Sequence, residues 1–114
     1  MADHGELEEH ISQFTEDASW EYPGELRQGR SVILDGARQR RRQGLTGPGS
    51  QSRHVITTLA VQIDDPLTAT ADSYWMFLRN TTTEPTPTSV GYYHDTLRWV
   101  DGLWQIARRE ITLG

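Results

Sequence analysis

The histidines of this chain are its first candidates for chemistry, because the sequence contains neither cysteine nor lysine. Their absence removes thiolate nucleophiles and Schiff-base chemistry. His54 heads the stretch "SRHVITTLAVQID", which alternates like a strand with one face against a core. Since imidazole titrates near neutral pH, a histidine at this position is a candidate general acid or base. A structural or solvent-exposed histidine is the alternative.

The other three histidines do not indicate a metal centre. His4 and His10 are six residues apart in a predicted helix, so they point in different directions. His94 stands beside Asp95 in a predicted strand, with no further ligand at the usual spacing. The sequence therefore predicts no metal and no cofactor.

Two aspartates fall inside predicted strands. A buried carboxylate needs a cationic partner, and Arg98, Arg108 and Arg109 lie on neighbouring predicted strands. We expect Asp72 and Asp95 to form cross-strand ion pairs.

Charge and length limit the possible partners. A chain of 114 residues with a net charge of −5 indicates one domain and argues against a nucleic-acid partner. The exception is the cluster Arg38, Arg40, Arg41 and Arg42. At the end of a helix these cations complement the dipole, and phosphate or acid binding is the alternative.

No segment predicts a membrane partner. No apolar run approaches the roughly 20 residues of a membrane span, and the first residues, "MADHGELEEH", are unlike a signal peptide. The sequence predicts a soluble cytoplasmic protein.

The elements that would position these residues start with helices. Leu7, Ile11 and Phe14 share one helical face, which predicts a helix between Asp3 and Asp17. A short strand with Trp20 and Tyr22 and a turn at Pro23-Gly24 would follow. The segment "GRSVILDGARQRRRQG" predicts a second helix, with Ser31 as N-cap and Gly44 as its stop.

Strands dominate the second half. Residues 53–63, 67–79 and 89–112 alternate, and the last segment is split by Asp101-Gly102, a hairpin signal. Helices followed by strands predict an α+β fold with the helices on one face of a sheet. In residues 53–63, alternation groups His54, Ile56 and Thr58 on one face. The opposite, outer face would carry Val55, Leu59, Val61 and Ile63 and join a homodimer or homotrimer.

Five segments together resemble a known family. They are "DHGEL…FTEDASW" (residues 3–20), "YPG…GRSVI" (22–33), "RHVITT" (53–58), "GYYHD" (91–95) and "VDGLWQIARR" (100–109). In this order and spacing they resemble the SnoaL-like branch of the nuclear transport factor two-like superfamily. The resemblance covers nearly the whole chain and implies a single domain over residues 1–114.

The resemblance implies a cone, in which a curved antiparallel sheet wraps N-terminal helices around an internal pocket. Members include polyketide cyclases, dehydratases similar to those of scytalone and bile acids, steroid isomerases and dioxygenase small subunits. Because the fold hosts so many activities, it does not settle function.

The resemblance also implies site residues. In dehydratase-like members the histidine of the "RH" motif works with an aspartate near the start of the first helix; these are His54 and Asp3 here. The chain departs from the pattern by lacking part of the usual first helix with its tyrosine, and by carrying Thr58 where asparagine is common. Another tyrosine could substitute: Tyr22, Tyr74, Tyr92 or Tyr93.

We therefore expect a pocket for a small hydrophobic organic ligand. The predicted activity is cofactor-free acid–base lyase, cyclase or isomerase chemistry on an apolar, oxygenated substrate. The alternative is a non-catalytic binding or accessory subunit similar to dioxygenase small subunits. The residues expected to line the pocket are Phe14, Trp20, Tyr22, Ile33, Ile56, Thr58, Tyr74, Tyr92, His94 and Trp104.

Overall fold

The structure, a computed structural model, describes residues 5–114 as two helices and six strands. In chain order they are α1 (Leu7–Ile11), β1 (Phe14–Tyr22), β2 (Glu25–Gln28), α2 (Arg30–Arg42), β3 (Ser52–Asp65), β4 (Thr68–Arg79), β5 (Thr86–Val100) and β6 (Leu103–Leu113).

The six strands form one curved sheet in the order β2-β1-β6-β5-β4-β3. Every neighbouring pair is antiparallel except β1 and β6, which run parallel. The predicted α+β fold is therefore confirmed, with one parallel pair that the sequence pattern did not indicate.

The turns follow their local chemistry. Asp101 and Gly102 both have positive φ, 50° and 81°, as a two-residue type I′ hairpin requires, so the predicted β5–β6 hairpin is confirmed. The Pro23-Gly24 turn joins β1 to β2. The polar segment Glu25–Gln28 was not predicted as a strand, because it alternates weakly and forms by pairing with β1.

The predicted first helix was wrong in its second half. Helix α1 ends at Ile11, and Phe14–Tyr22 is a single strand. Phe14 lies opposite Ile106 of β6, and the Ile106 amide donates to Gln13 O at 2.7 Å. Pairing with a strand some 90 residues further along the chain thus overrides the local helical spacing.

Helix α2 covers one end of the sheet. It begins after Gly29, whose φ is 93°, so Ser31 lies inside the helix rather than at its N-cap. Ile33 packs in the core with Ile11, Phe14 and Ala18. The helix thereby contacts β1 and β2 and fixes which face of the sheet points inward.

The pairing registers define two faces of the sheet. The inner face, on the side of α2, carries Ala69, Ala71, Ser73, Trp75 and Phe77 of β4; opposite these lie residues of β5 that include Gly91, Tyr93 and Asp95. The outer face carries Asp72, Tyr74 and Met76 of β4, opposite His94, Tyr92 and Val90. Directly paired residues of neighbouring strands project to the same side.

A β-bulge interrupts the alternation of β3. Thr57 pairs with Tyr74 but Ala60 pairs with Asp72, so Thr58 and Leu59 together oppose the single residue between those partners. Thr58 has a φ of 54°, which a β-branched residue rarely adopts. Beyond the bulge the faces exchange.

This exchange corrects the predicted faces of β3. Val61 and Ile63 pair with the inner-face residues Ala71 and Ala69, so they share the side of His54 and Ile56 instead of opposing it. Strict alternation fails because one extra residue shifts every later side chain to the other face.

Candidate functional site

His54 lies on the inner face, as the sequence indicated. It pairs with Phe77 of β4, and their ring centroids are 4.7 Å apart. The Trp75 ring is 6.3 Å away. His54 is half-buried, so a titratable ring sits among aromatic side chains while keeping access to solvent.

Trp75 connects His54 to the centre of the sheet. It is only 5% exposed and stacks on Tyr93 with ring centroids 6.0 Å apart. This stacking requires glycine at position 91, because a Cβ there would lie 2.5 Å from the Trp75 ring and 2.0 Å from Thr112 O. The aromatic row therefore depends on one residue without a side chain.

A buried ion pair ends this row. The Arg109 guanidinium lies 4.2 Å from the centre of the Tyr93 ring and donates two hydrogen bonds to Asp95, at 2.8 and 2.9 Å. Burial lowers the pKa of Arg109, but the hydrogen bonds and charge of Asp95 outweigh it and hold the pKa above its ordinary value. The predicted ion pair of Asp95 is confirmed, with Arg109 as partner.

The same row contains an unsatisfied donor. Trp75 Nε1 is buried and has no hydrogen-bond partner among the residues that the structure describes. A buried donor without an acceptor costs about 1–3 kcal/mol.

The other predicted pocket residues on the inner side are dispersed. Phe14 of β1 and Ile33 of α2 are buried in the core between the helix and the sheet. Trp20 and Tyr22 stack on each other at 6.0 Å, with Arg40 of α2 placed 5.1 Å above the Trp20 ring. None of these four is paired with His54 or its neighbours on β4.

Two further predicted residues lie along the strands at different distances from His54. Ile56 pairs with Trp75 and is 50% exposed, so it extends the surface beside His54. Trp104 packs edge-on against Trp99 at 5.4 Å beside the β5–β6 turn, away from that surface.

Four predicted pocket residues do not share a wall with His54. Tyr74, Tyr92 and His94 lie on the outer face, because alternation along β4 and β5 places them opposite Trp75 and Tyr93. Thr58 occupies the exposed bulge of β3. The prediction that these residues line one cavity was wrong.

The outer face instead holds a polar cluster centred on Asp72. Tyr92 Oη donates to Asp72 Oδ1 at 2.6 Å, and His94 Nδ1 lies 2.5 Å from the same oxygen. These hydrogen bonds, from Tyr92 first and then from His94, lower the pKa of Asp72, while the carboxylate raises the pKa of Tyr92. The expected partner of Asp72 was an arginine; strand register supplies a histidine and a tyrosine instead.

Asp3, the proposed partner of His54, lies outside the described residues. Nothing in the geometry of residues 5–114 tests its role.

Two cavities of ligand size open elsewhere on the described surface. One, of about 430 Å³, is lined by Tyr22, by the β1–β2 turn and by residues 110–112 of β6. The other, of about 620 Å³, lies between Asp17, Arg30 and Arg98. Neither is lined by His54, whose surroundings are open because α2 packs on β1 and β2 rather than on β3.

The comparisons with known proteins decide the family. The model of the SnoaL-like domain family matches residues 1–110. The chain is a SnoaL-like domain. No curated protein matches it, so the family and the solved structures carry the comparison.

Three solved structures illustrate the likeness of this SnoaL-like domain. Rv3472, a protein of unknown function from Mycobacterium tuberculosis, is 27% identical with a TM-score of 0.79, over 95% of this chain and 60% of that one. A nuclear transport factor two-like protein with a cystatin-like fold from Novosphingobium aromaticivorans is 22% identical, with a TM-score of 0.82 over 94% and 68%. A candidate scytalone dehydratase from the same organism is 22% identical, with a TM-score of 0.71 over 95% and 70%.

These likenesses show the fold, and the chain spans only part of each of these relatives. Neither helix within residues 5–114 has the length and apolar character needed to cross a bilayer. Over the same residues, no group of three or more histidines and carboxylates is arranged to hold a metal ion.

The inner-face row contains residues that sequence reasoning missed. Trp75, Phe77 and Arg109 were not among the predicted site residues, and Tyr93 was named only as one of four possible tyrosines. Alternation along β5 could have found them, once it is known which alternate residues face inward. If Asp95 is buried, Tyr93 must share its face and Tyr92 must lie on the other.

Proposed function

We propose that the inner face around His54 binds a small, apolar, oxygenated molecule and that His54 acts on it as a general acid–base catalyst. The observation that carries this proposal is the position of His54, a half-buried imidazole against Phe77 and Trp75 on the concave side of the sheet. Membership of the SnoaL-like family supports a small-molecule-binding role.

The aromatic row suits such a ligand. The rings of Phe77 and Trp75 and the exposed side chain of Ile56 offer apolar surface beside His54. Apolar walls with a few placed polar groups are typical of small-molecule sites.

The chemistry that fits is proton transfer next to a carbonyl. In its neutral form His54 would remove the proton from the carbon beside the carbonyl, and the resulting imidazolium would return that proton to a leaving hydroxyl, which departs as water. The reaction is a dehydration with no net change in oxidation state. Cyclase and isomerase steps use the same proton removal followed by a different proton return.

Two groups are proposed to assist His54. Tyr93 is the tyrosine best placed to act as an acid, because it lies on the inner face and stacks on Trp75, whereas Tyr74 and Tyr92 lie on the outer face. Asp3 would orient the imidazole and stabilise its charged form, as the family resemblance implies.

The test measures exchange of solvent deuterium into the carbon next to the carbonyl of a panel of cyclic β-hydroxy ketones, followed by NMR. We expect exchange with the wild-type protein and a loss of about 100-fold or more in His54→Asn, the usual scale for removing a general base. His94→Asn is the matched control, because it removes the same ring from the outer face. Equal rates in His54→Asn and wild type would contradict the proposal.

A non-catalytic binding or accessory subunit is the second candidate. It is favoured by the open surroundings of His54 and by the two cavities that lie elsewhere. This candidate predicts ketone binding, seen as chemical-shift changes of the ligand, without exchange and without an effect of Asp3→Asn. Binding with exchange that depends on His54 would rule it out.

A cytoplasmic location and self-association complete the proposal. Location can be checked by fractionating the producing cells with an antibody to the protein.

A further inference from the structure

Strand β3 is an edge strand with an apolar surface. Among the described strands it pairs only with β4. Leu59, Val61 and Ile63 are 67%, 57% and 66% exposed. A long edge strand with exposed apolar side chains offers both backbone groups and side chains to another strand. The opposite edge, β2, has only four residues and one large exposed apolar side chain, Leu26, so it offers a much smaller surface.

The bulge determines which antiparallel register of two β3 strands matches their faces. Before the bulge, His54 and Ile56 point inward; after it, Val61 and Ile63 do. If β3 pairs antiparallel with a second β3 about a two-fold axis between Thr58 and Leu59, Ile56 faces Val61 of the partner subunit. His54 likewise faces Ile63 of the partner subunit. These two opposed pairs then share a face, as sheet geometry requires.

Without the bulge this register would oppose inner to outer residues. With the bulge present, the register centred on it opposes residues before the bulge to residues after it, so the inner-face side chains of the two copies lie side by side.

Charge follows the same symmetry. Arg53 stands at the start of β3, and Asp64 and Asp65 stand at its end. Asp65 Oδ1 already accepts the amides of Leu67 and Thr68 at 2.8 and 2.9 Å in the β3–β4 turn. In the register above, Arg53 lies opposite Asp64 of the partner subunit, and the two-fold axis repeats this pair at the other end.

We propose that two copies of this chain associate by antiparallel pairing of their β3 strands about an axis between Thr58 and Leu59. This interface is isologous, since each copy presents the same segment. It covers Leu59, Val61 and Ile63 and joins the inner faces of the two sheets beside each His54.

The test exchanges the charges at the two ends of β3. Arg53→Asp and Asp64→Arg each place like charges opposite one another in their own dimers, which should weaken self-association on the order of tenfold or more. In an equimolar mixture of the two variants, both pairs are attractive again in the mixed dimer. Sedimentation equilibrium at low salt measures the dissociation constant of each sample.

We expect wild type to dimerise, each variant alone to be weakened, and the mixture to regain wild-type association. Arg42→Asp and Glu84→Arg change the net charge equally at other sites and should leave the dimer intact. A monomeric wild type, variants that dimerise as wild type does, or a mixture no stronger than its components would each overturn the proposal. The first result would assign the apolar edge to another partner, and the second would assign the dimer to another surface.

A cross-linking measurement tests the register independently of affinity. The chain has no cysteine, so Thr58→Cys introduces a single thiol that lies next to its symmetry mate across the proposed axis. Oxidation should give a disulfide-linked dimer. The Thr88→Cys variant, with its cysteine at an exposed position of β5, should form no disulfide-linked dimer under the same conditions. Equal cross-linking of both variants would contradict the register.

Discussion

Asp95 and Arg109 form an ion pair in which burial decides the energy. The exposed fractions of the two side chains are 9% and 19%, whereas the Arg108–Glu21 pair on the outer face is about half exposed on both sides. Exposed pairs contribute little because water screens them. A buried charge that loses its partner keeps its full desolvation cost.

Asp95→Asn should therefore reduce the free energy of unfolding by about 3–5 kcal/mol, because it leaves the Arg109 charge buried without a counter-ion. Urea denaturation followed by tryptophan fluorescence measures the loss. Glu21→Gln breaks the exposed pair on the adjacent arginine and should cost less than about 1 kcal/mol. Similar losses in the two variants would mean that burial does not set the energy of the Asp95 pair.

Adjacent tyrosines show how strongly surroundings separate identical residues. Tyr92 donates to Asp72 on the outer face, which raises its pKa. Tyr93 stacks between Trp75 and Arg109 on the inner face. The two phenols have different surroundings only because adjacent residues of β5 project to opposite faces of the sheet.

At the scale of elements, the bulge of β3 places the apolar residues of that strand. Thr58 has a φ of 54°, where a β-branched side chain is strained. The strand nevertheless keeps its pairing with β4 on both sides. The left-handed backbone at position 58 therefore results from the pairing of β3 with β4 and not from a preference of threonine.

Glycine substitutions at Thr57 and Thr58 should show whether residue 58 has a left-handed backbone, because both variants lose the same side chain. Thr57→Gly should destabilise the protein by about 1 kcal/mol, because glycine weakens a regular strand. Thr58→Gly should be neutral or stabilising, because it removes a left-handed strain of about 1–2 kcal/mol. Thermal unfolding by circular dichroism compares the two variants. Equal destabilisation would show that residue 58 is not left-handed in solution.

Elements with strong local signals could be predicted from the sequence, and those set by distant pairing could not. The β5–β6 hairpin follows from Asp101-Gly102, and α2 from its apolar spacing. Phe14–Tyr22 became a strand because of β6, and Val61 changed face because of a bulge. Neither the pairing with β6 nor the bulge can be recognised from the neighbouring residues alone.

The candidate site was predictable to a similar degree. His54 reached the inner face because it precedes the bulge, so alternation was still valid there. Tyr74, Tyr92 and His94 were predicted on the wrong face, because alternation along β4 and β5 does not say which of the two sets of residues points inward. The burial of Asp95 and Trp75 shows which set points inward.

At the scale of the whole molecule, the Asp72 cluster links three residues of the outer face to acid stability. The pKa of Asp72 is lowered from its ordinary value of 3.8 by its hydrogen bonds with Tyr92 and His94. Its stabilising contribution is complete above pH 3.8 and is lost as the pH falls through the lower, folded value. Arg108, Glu21 and Glu110 are the other charges on this part of the face.

Asp72→Asn should flatten the fall in unfolding free energy below the ordinary pKa of 3.8, since an amide does not titrate. Asp17 and Asp65 also have lowered pKa values and should preserve part of the slope. Urea titrations between about pH 6 and pH 2 measure it, because the linkage between proton binding and folding acts in this range. Asp35→Asn, on the exposed side of α2, is the control; an equal flattening there would point to net charge instead of the cluster.

The parallel contact between β1 and β6 has a consequence for biosynthesis. Within the described sheet, β1 borders only β2 and β6, and β6 follows the other described strands along the chain. A nascent chain can close the antiparallel run from β3 to β5 while translation continues. Strand β1 is synthesised before β3, but its Phe14 side chain lacks the contact with Ile106 until residues 103–113 have left the ribosome.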